Sequence, residues 1–165
     1  PPAGELTGLP AGVTWVQRAT TTREADSALI LFGWNFRADD GMSFRWIDAS
    51  AYAGFTFWAK ATGVTDLVVT TVDATNIPVT DVRKGTCPMA GMCPAVPGTT
   101  VALTPSWQKF KFRWADFKQG AMDIQGPVEA KQLARIDLLY VVGSNTTVDF
   151  SITGISLATD ADLAQ

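Results

Sequence analysis

Short stretches in which apolar and polar residues alternate recur along the whole chain. In residues 107–114, Phe110, Phe112 and Trp114 fall on one side, and basic residues fall on the other. This period of two is typical of a half-buried strand. Similar runs are rich in Val, Ile, Thr and aromatic residues, with Gly, Pro, Asp and Asn between them. The predicted strands are residues 14–18, 28–32, 42–46, 55–60, 66–72, 99–103, 107–114, 135–142 and 147–157.

This pattern predicts an all-β fold. Many short strands with turn residues between them favour a two-sheet antiparallel β-sandwich over an α/β fold. Only residues 128–133 could form a helical turn. We expect residues 1–12 to be a linker or N-terminal segment, residues 13–158 to be one sandwich module and residues 159–165 to be a C-terminal tail.

Composition narrows the class of protein further. Of the 165 residues, 47% are hydrophobic and 18% are charged, which predicts a folded domain with one core rather than a disordered chain. The net charge of −3 argues against a nucleic-acid partner. No apolar run reaches the roughly 18 residues of a membrane span. No signal peptide is recognisable, so we expect a mature protein or an excised module.

Two cysteines, Cys87 and Cys93, lie in a segment rich in Pro and Gly. Their spacing matches no zinc motif. We expect a disulfide, which would stabilise the fold by roughly 2 kcal/mol on the chain-entropy estimate. Two free thiols in a cytosolic loop are the alternative. A disulfide favours an extracellular or periplasmic location.

The chain contains no histidine, which excludes Ser-His-Asp, Cys-His and histidine–metal mechanisms. A glycosidase needs two carboxylates that flank the scissile bond. The only glutamates, Glu5, Glu24 and Glu129, lie in no aromatic-rich acid–base motif. The two aspartates at residues 39–40 precede a glycine and are typical of a hairpin turn. The sequence therefore predicts a protein that is not an enzyme.

The most informative stretch is residues 47–60, where a turn of small residues leads into a strand with the pattern Y-x-G-x-x-F-W-A-K. Further pieces occur in order: SALIL at 27–31, LTPSWQ at 103–108, ADFKQG at 115–120 and VDFSI at 148–152. With this order and spacing, over roughly residues 26–157, the chain resembles the β-jelly-roll carbohydrate-binding modules. The nearest types are family 11, family 30 and the complex I intermediate-associated domains of the galactose-binding-like superfamily.

The resemblance implies a non-catalytic, secreted or cell-surface jelly roll that attaches an enzyme or surface protein to polysaccharide. The expected partner is a polysaccharide or oligosaccharide. Such modules often hold a structural calcium through an aspartate of the last strand, where this chain has Thr153 and Gly154. The sequence therefore predicts no cofactor with certainty. A structural calcium ion is the alternative.

Alternate strands of a jelly roll go to opposite sheets, which would group residues 42–46, 66–72, 99–103 and 135–142. In similar modules this sheet forms the concave binding face. Sugar sites combine an aromatic platform with planar polar groups. Trp34, placed in a loop at one rim, would supply the platform, and Asp73 would line another rim. The predicted carbohydrate-binding residues are Trp34, Arg45, Thr70, Asp73, Arg135 and Asp137.

Each of these residues also has a structural interpretation. Arg45 and Asp137 could form a cross-strand ion pair of small value, and Trp34 could cap the sandwich. The same face also carries aliphatic residues, which more often contact protein or another segment of the chain, such as residues 1–25. These residues are Val68, Val72, Leu139 and Val141. A structural or protein-interaction jelly roll that has lost sugar binding is therefore the alternative function.

Trp58 and Lys60 lie on the outward side of the strand at residues 55–60. This strand belongs to the other predicted sheet. We expect Trp58 to be structural, packed under an N-terminal segment or a loop, and Lys60 to keep its charge in water.

Overall fold

The computed structural model describes residues 7–9, 13, 16–23, 28–35, 46–82, 84–88, 93–117, 128–142 and 145–164. Within these residues the secondary structure is almost entirely β. The strands are β1 (Gln17–Arg23), β2 (Ala28–Asn35), β3 (Gly54–Thr62), β4 (Asp66–Asp73), β5 (Gly98–Ala102), β6 (Gln108–Arg113), β7 (Leu133–Val142) and β8 (Thr146–Ala158). A C-terminal helix, α1 (Asp160–Ala164), follows β8.

The strands form two antiparallel sheets of four. Sheet A has the order β1-β8-β3-β6, and sheet B has the order β2-β7-β4-β5. Neighbouring strands come from distant parts of the sequence, as in a Greek-key sandwich. The structure therefore confirms the predicted all-β jelly roll.

The core lies between the sheets and contains the residues that the alternation predicted. In β3, Phe55, Phe57 and Ala59 are fully buried, because successive side chains of a strand point to opposite faces. Phe112 of β6 is also buried, and its ring centroid lies 5.2 Å from that of Phe55. Such aromatic contacts contribute about 0.5–1.5 kcal/mol beyond the burial of area.

The basic side of β6 is solvated as predicted. Lys109 and Arg113 are exposed on the side opposite Phe112. Arg113 also pairs with Asp160 of α1, so the first residue of the short helix contacts the end of β6. The predicted helical turn is present as the 3-10 turn Ala130–Gln132.

Two predicted strands differ from the observed ones. β1 begins at Gln17 rather than at residue 14, because residues 17–23 pair in register with β8. β2 extends three residues past its predicted end, up to Asn35, which pairs with Arg135 of β7. β2 occupies an edge of sheet B, whereas the prediction had grouped residues 42–46, and not β2, with the strands of this sheet. Of that predicted strand, only Trp46 lies within the described residues, and it belongs to no strand.

A disulfide joins Cys87 to Cys93 across a Cα–Cα distance of 5.3 Å, which confirms the predicted pair. The disulfide loop follows β4 and the 3-10 turn Ala74–Asn76. The side-chain amide of Asn76 donates to the carbonyls of Pro94 and Ala95, at 3.3 Å each. The loop is thereby tied to the end of β4, next to sheet B.

On the outward side of sheet A, Trp58 is half-buried and lies opposite Thr153 of β8 and Lys109 of β6. Lys60 Nζ lies 4.9 Å from the centroid of the Trp107 ring. A cation–π contact therefore places its ammonium group over an aromatic face, and the expectation that Lys60 keeps its charge in water stays a prediction.

Candidate functional site

The outward side of sheet B carries the candidate site. Ile136 and Leu138 of β7 are buried in the core, so Arg135, Asp137 and Leu139 must point the other way. The paired strands supply the rest of this surface, which we call the outer face of sheet B. Its members are Leu31, Gly33, Asn35, Val68, Thr70, Val72, Gly98, Thr100, Arg135, Asp137 and Leu139.

The strand register arranges these residues in rows across the sheet. The central row runs from Gly33 of β2 to Asp137 of β7, Thr70 of β4 and Gly98 of β5. Directly opposed residues in adjacent strands have side chains about 5 Å apart. Asp137 and Thr70 therefore adjoin each other, with a glycine at each end of the row.

Asp137 is the most unusual group on this face. Its side chain is only 5% exposed, and Arg135 Nε lies 2.7 Å from its Oδ2. Asp137 Oδ1, the other carboxylate oxygen, has no hydrogen-bond partner among the described residues. A buried carboxylate oxygen without a donor is costly to desolvate. It is the kind of acceptor that a ligand hydroxyl or amide satisfies.

Burial determines the electrostatics of this carboxyl group. Removal from water raises the pKa of Asp137 above its ordinary value of 3.8, and the neighbouring Arg135 charge opposes this shift. Desolvation disfavours the charged form, whereas an adjacent cation favours it. Asp137 is therefore a carboxylate that the protein itself does not fully stabilise.

Side chains of the central row lie close against its two glycines. A Cβ at Gly33 would lie 3.0 Å from Asp137 Oδ1, and a Cβ at Gly98 would lie 3.1 Å from the Thr70 methyl group. Glycine inside a strand often marks a position that another group approaches closely. Neither glycine was among the predicted site residues, although Gly33, inside the apolar run at residues 28–34, was a usable signal.

The neighbouring row runs from Leu31 of β2 through Leu139 and Val68 to Thr100 of β5, and its first three residues form an aliphatic row. Leu31 is 50% exposed and Val68 is 37% exposed, so part of the predicted aliphatic face is open to solvent. Val72 differs, because it is buried with Ile77 as part of a small cluster. The segment after β4 therefore covers Val72, and whether residues 1–25 cover the rest of this face stays a prediction. The side chain of Val141 lies outside the described residues.

Asp73 does not line the rim as predicted. Its side chain is buried, and Oδ1 accepts hydrogen bonds from the backbone N–H and the hydroxyl of Thr75, at 2.9 and 2.6 Å. Oδ2 accepts from the backbone N–H of Glu129 at 2.9 Å. Asp73 therefore caps the 3-10 turn after β4 and connects it to the segment before β7, a structural role for a fully hydrogen-bonded carboxylate.

Trp34 also lies elsewhere than predicted. It belongs to β2 rather than to a loop, and its half-buried side chain packs against the core. It also lines a pocket of about 440 Å³ at the side of the sandwich. The structure thus brings Thr70, Arg135 and Asp137 together on one face and separates Trp34 and Asp73 from them. Arg45, and with it the predicted Arg45–Asp137 pair, lies outside the described residues.

Among the residues that the structure describes, no group of three Asp, Glu or Cys side chains has the arrangement of a metal site. No helix in that part of the chain is long and apolar enough to cross a membrane. Whether the chain binds a structural calcium stays a prediction.

Comparisons with known proteins bear on the fold. No protein-family profile matches the sequence, and no curated protein sequence is significantly similar. Among solved structures, a family 30 carbohydrate-binding module of the cellulosomal cellulase Cel9D-Cel44B of Clostridium thermocellum has a TM-score of 0.56 at 15% identity. The match covers 91% of this chain and 80% of that one. A second family 30 structure gives a TM-score of 0.56 at 16% identity, with 90% and 72% covered.

A family 11 carbohydrate-binding module from Clostridium thermocellum, solved with a β-1,3-1,4-mixed-linked tetrasaccharide, is similar over 90% of this chain and 91% of its own. Its TM-score is 0.51 at 11% identity. The chain therefore has the jelly-roll fold of the family 11 and family 30 carbohydrate-binding modules, as the sequence predicted. At such identities the likeness shows the fold, and function must be argued from the site.

Proposed function

We propose that this protein is a non-catalytic carbohydrate-binding module that binds a polysaccharide chain on the outer face of sheet B. In this proposal it attaches a secreted enzyme or a surface protein to that polysaccharide. The fold that it shares with carbohydrate-binding modules supports the proposal. The observation that carries it is Oδ1 of Asp137, which has no hydrogen-bond partner among the described residues and lies in a row of sheet B with a glycine at each end.

The chemistry of the face suits a sugar chain. Sugar hydroxyls donate strong hydrogen bonds to carboxylates, and Asp137 Oδ1 would accept one. Arg135, with a half-buried guanidinium beside Asp137, would donate to a second hydroxyl. The C–H groups of a pyranose are apolar, so Leu31, Leu139 and Val68 can cover them and release water from both surfaces. The aliphatic residues would thus contact the C–H groups of a sugar ring, and the central row would contact its hydroxyl groups.

The test is binding to polysaccharide by the whole protein. Pull-down with insoluble polysaccharides and a glycan array would identify the ligand class, with mixed-linked β-glucan oligosaccharides as the first candidates. Asp137→Asn should then lower the affinity by about tenfold or more, since a hydrogen bond to a charged group contributes about 1.5–3 kcal/mol. Isothermal titration calorimetry would measure the change.

Asp149→Asn is the matched control, because Asp149 also pairs with an arginine but on the outward side of sheet A. Its affinity for the same oligosaccharide should equal that of the wild type. Equal losses in both variants, or unchanged affinity in Asp137→Asn, would contradict the proposed site.

The alternative is a structural or protein-interaction jelly roll, and the exposure of Leu31 and Val68 favours it. It predicts a blank glycan array together with self-association or capture of a protein partner. Substitution of Leu31 by Ser would then abolish that association. Under the carbohydrate proposal the wild-type protein is monomeric at the same concentration in analytical ultracentrifugation.

A further inference from the structure

A pocket lies at the side of the sandwich where the two edge strands β1 and β2 face each other. Its volume of about 440 Å³ falls within the range of small-molecule sites. Phe32 and Trp34 of β2 and Leu138 of β7 form one wall. The opposite wall comes from Gln17 of β1 and from Ile152 and Ile155 of β8.

An irregularity in β8 directs Ile155 into this pocket. Thr56 of β3 pairs with Ser156, but Trp58 pairs with Thr153, so β8 contains one extra residue at this point. Gly154 has a positive φ of 62°, which glycine adopts without a Cβ clash. Such a bulge re-aims the side chains around it. As a result, Ile152 and Ile155 both face inward, although they are three residues apart.

The lining specifies the chemistry of an occupant. None of the described lining residues is charged, so an ionised group would lose its hydration without compensation. Phe32 and Trp34 offer aromatic surfaces, which favour contact with another ring. Gln17 pairs with the inward-facing Ile152, so its amide points toward the same side. The pocket therefore suits a flat, neutral ring with one hydrogen-bonding substituent.

The pocket is continuous with the outer face of sheet B. Leu31 and Gly33 line the pocket, and the same residues end the aliphatic row and the central row of that face. A chain that crosses the face along these rows would pass the free edge of β2, directly beside the pocket mouth.

We propose that this pocket binds a neutral phenolic ring carried by the saccharide as an ester or ether substituent. The ring packs against Phe32 and Trp34, and its hydroxyl group hydrogen-bonds to the Gln17 amide. The assignment of the ring to a saccharide rests on the proposed function. The presence of a site for the ring does not, because it depends only on the pocket.

The experiment titrates the whole protein with methyl 4-hydroxycinnamate, followed by saturation-transfer difference NMR. Methyl cinnamate, which lacks the hydroxyl, and the 4-hydroxycinnamate anion are the comparison probes. We expect the phenolic ester to bind, the ester without hydroxyl to bind about fivefold more weakly, and the anion not to bind. Ile155→Phe, which partly fills the pocket, should weaken the phenolic ester at least fivefold.

Gln17→Ala should weaken methyl 4-hydroxycinnamate to the affinity of methyl cinnamate and leave methyl cinnamate unchanged. Because Gln17 is exposed on an edge strand, this variant keeps the test available if Ile155→Phe does not fold. Thr20→Ala is the matched control, since Thr20 lies on β1 opposite Asp149 and points away from the pocket. It should not change either affinity.

The outcomes separate the two proposals. Failure of the phenolic ester to bind, or equal binding by Gln17→Ala and the wild type, overturns the pocket assignment whatever the polysaccharide results show. Binding of the free ester with no affinity for any oligosaccharide overturns the saccharide as its carrier and the proposed function with it. Tighter binding of an aryl-substituted oligosaccharide than of its unsubstituted form, lost in Gln17→Ala, supports the complete proposal.

Discussion

Each sheet carries an Arg–Asp pair on its outward side, and the two pairs differ in geometry. On sheet A, Arg18 of β1 reaches across to Asp149 of β8, and each carboxylate oxygen accepts from the guanidinium. On sheet B, Arg135 precedes Asp137 by two residues in the same strand, and its Nε lies 2.7 Å from Oδ2. The remaining oxygen, Oδ1, has no partner among the described residues.

The consequences for the two carboxyl groups are opposite. Asp149 is 32% exposed, and its hydrogen bonds with Arg18 lower its pKa. Asp137 is 5% exposed, and burial raises its pKa. The Arg18–Asp149 pair of sheet A therefore has a structural role, since both carboxylate oxygens are hydrogen-bonded. On sheet B, Asp137 Oδ1 is a buried acceptor without a donor among the described residues. The comparison shows why an Arg–Asp pair in a sequence does not by itself indicate either a structural or a binding role.

The largest expected effect is on stability when each arginine is removed. Arg135→Ala leaves a buried carboxylate without its cation and should lower the free energy of unfolding by about 1–3 kcal/mol. Arg18→Ala breaks an exposed pair and should lower it by less than about 1 kcal/mol. Urea denaturation at pH 7 measures both. A larger loss of unfolding free energy in Arg18→Ala than in Arg135→Ala would contradict the different roles assigned to the two pairs.

The dependence of stability on pH should separate the two aspartates. Because the pKa of Asp137 is raised in the folded state, its favourable contribution is present below the unfolded value of 3.8 and is lost as pH rises through the folded pKa. Asp137→Asn should therefore gain stability relative to the wild type as pH increases from about 3.8.

Asp149→Asn should show the opposite trend. The lowered pKa of Asp149 gives a contribution that is present above 3.8 and is lost as pH falls through the folded pKa. The difference between this variant and the wild type should therefore disappear in acid. Denaturation curves from pH 2.5 to 7 measure both trends, and parallel profiles for the two variants would show that the carboxyl groups have similar environments.

The smallest expected effect comes from filling the space beside Asp137. Gly33→Ala places a methyl group about 3 Å from Oδ1 and should weaken oligosaccharide binding about three- to fivefold, with little change in stability because Ala suits a strand better than Gly. Gly98→Ala is the comparison variant, because its methyl group meets Thr70 rather than the carboxylate. If both substitutions weakened oligosaccharide binding equally, the loss would come from added bulk anywhere in the central row. Access to Asp137 Oδ1 would then not be what determines affinity.

Much of this molecule could be predicted from local sequence. The alternation in β3 and β6 identified the buried face of each strand, because a period of two is a property of the strand itself. The disulfide followed from two cysteines close in sequence. Of the predicted site residues, Thr70, Arg135 and Asp137 share one face, since alternation also identifies the outward residues of β4 and β7.

The sequence by itself therefore determined the class of fold and the two sides of each strand. Only the tertiary structure decided which strands are neighbours, because strand pairing joins residues far apart in the chain and depends on the register of whole sheets. That register placed β2 beside β7, put Gly33 next to Asp137 and moved Trp34 into the side pocket. In the folded protein Asp73 is buried and accepts three hydrogen bonds. Oδ1 of Asp137 has no donor among the described residues.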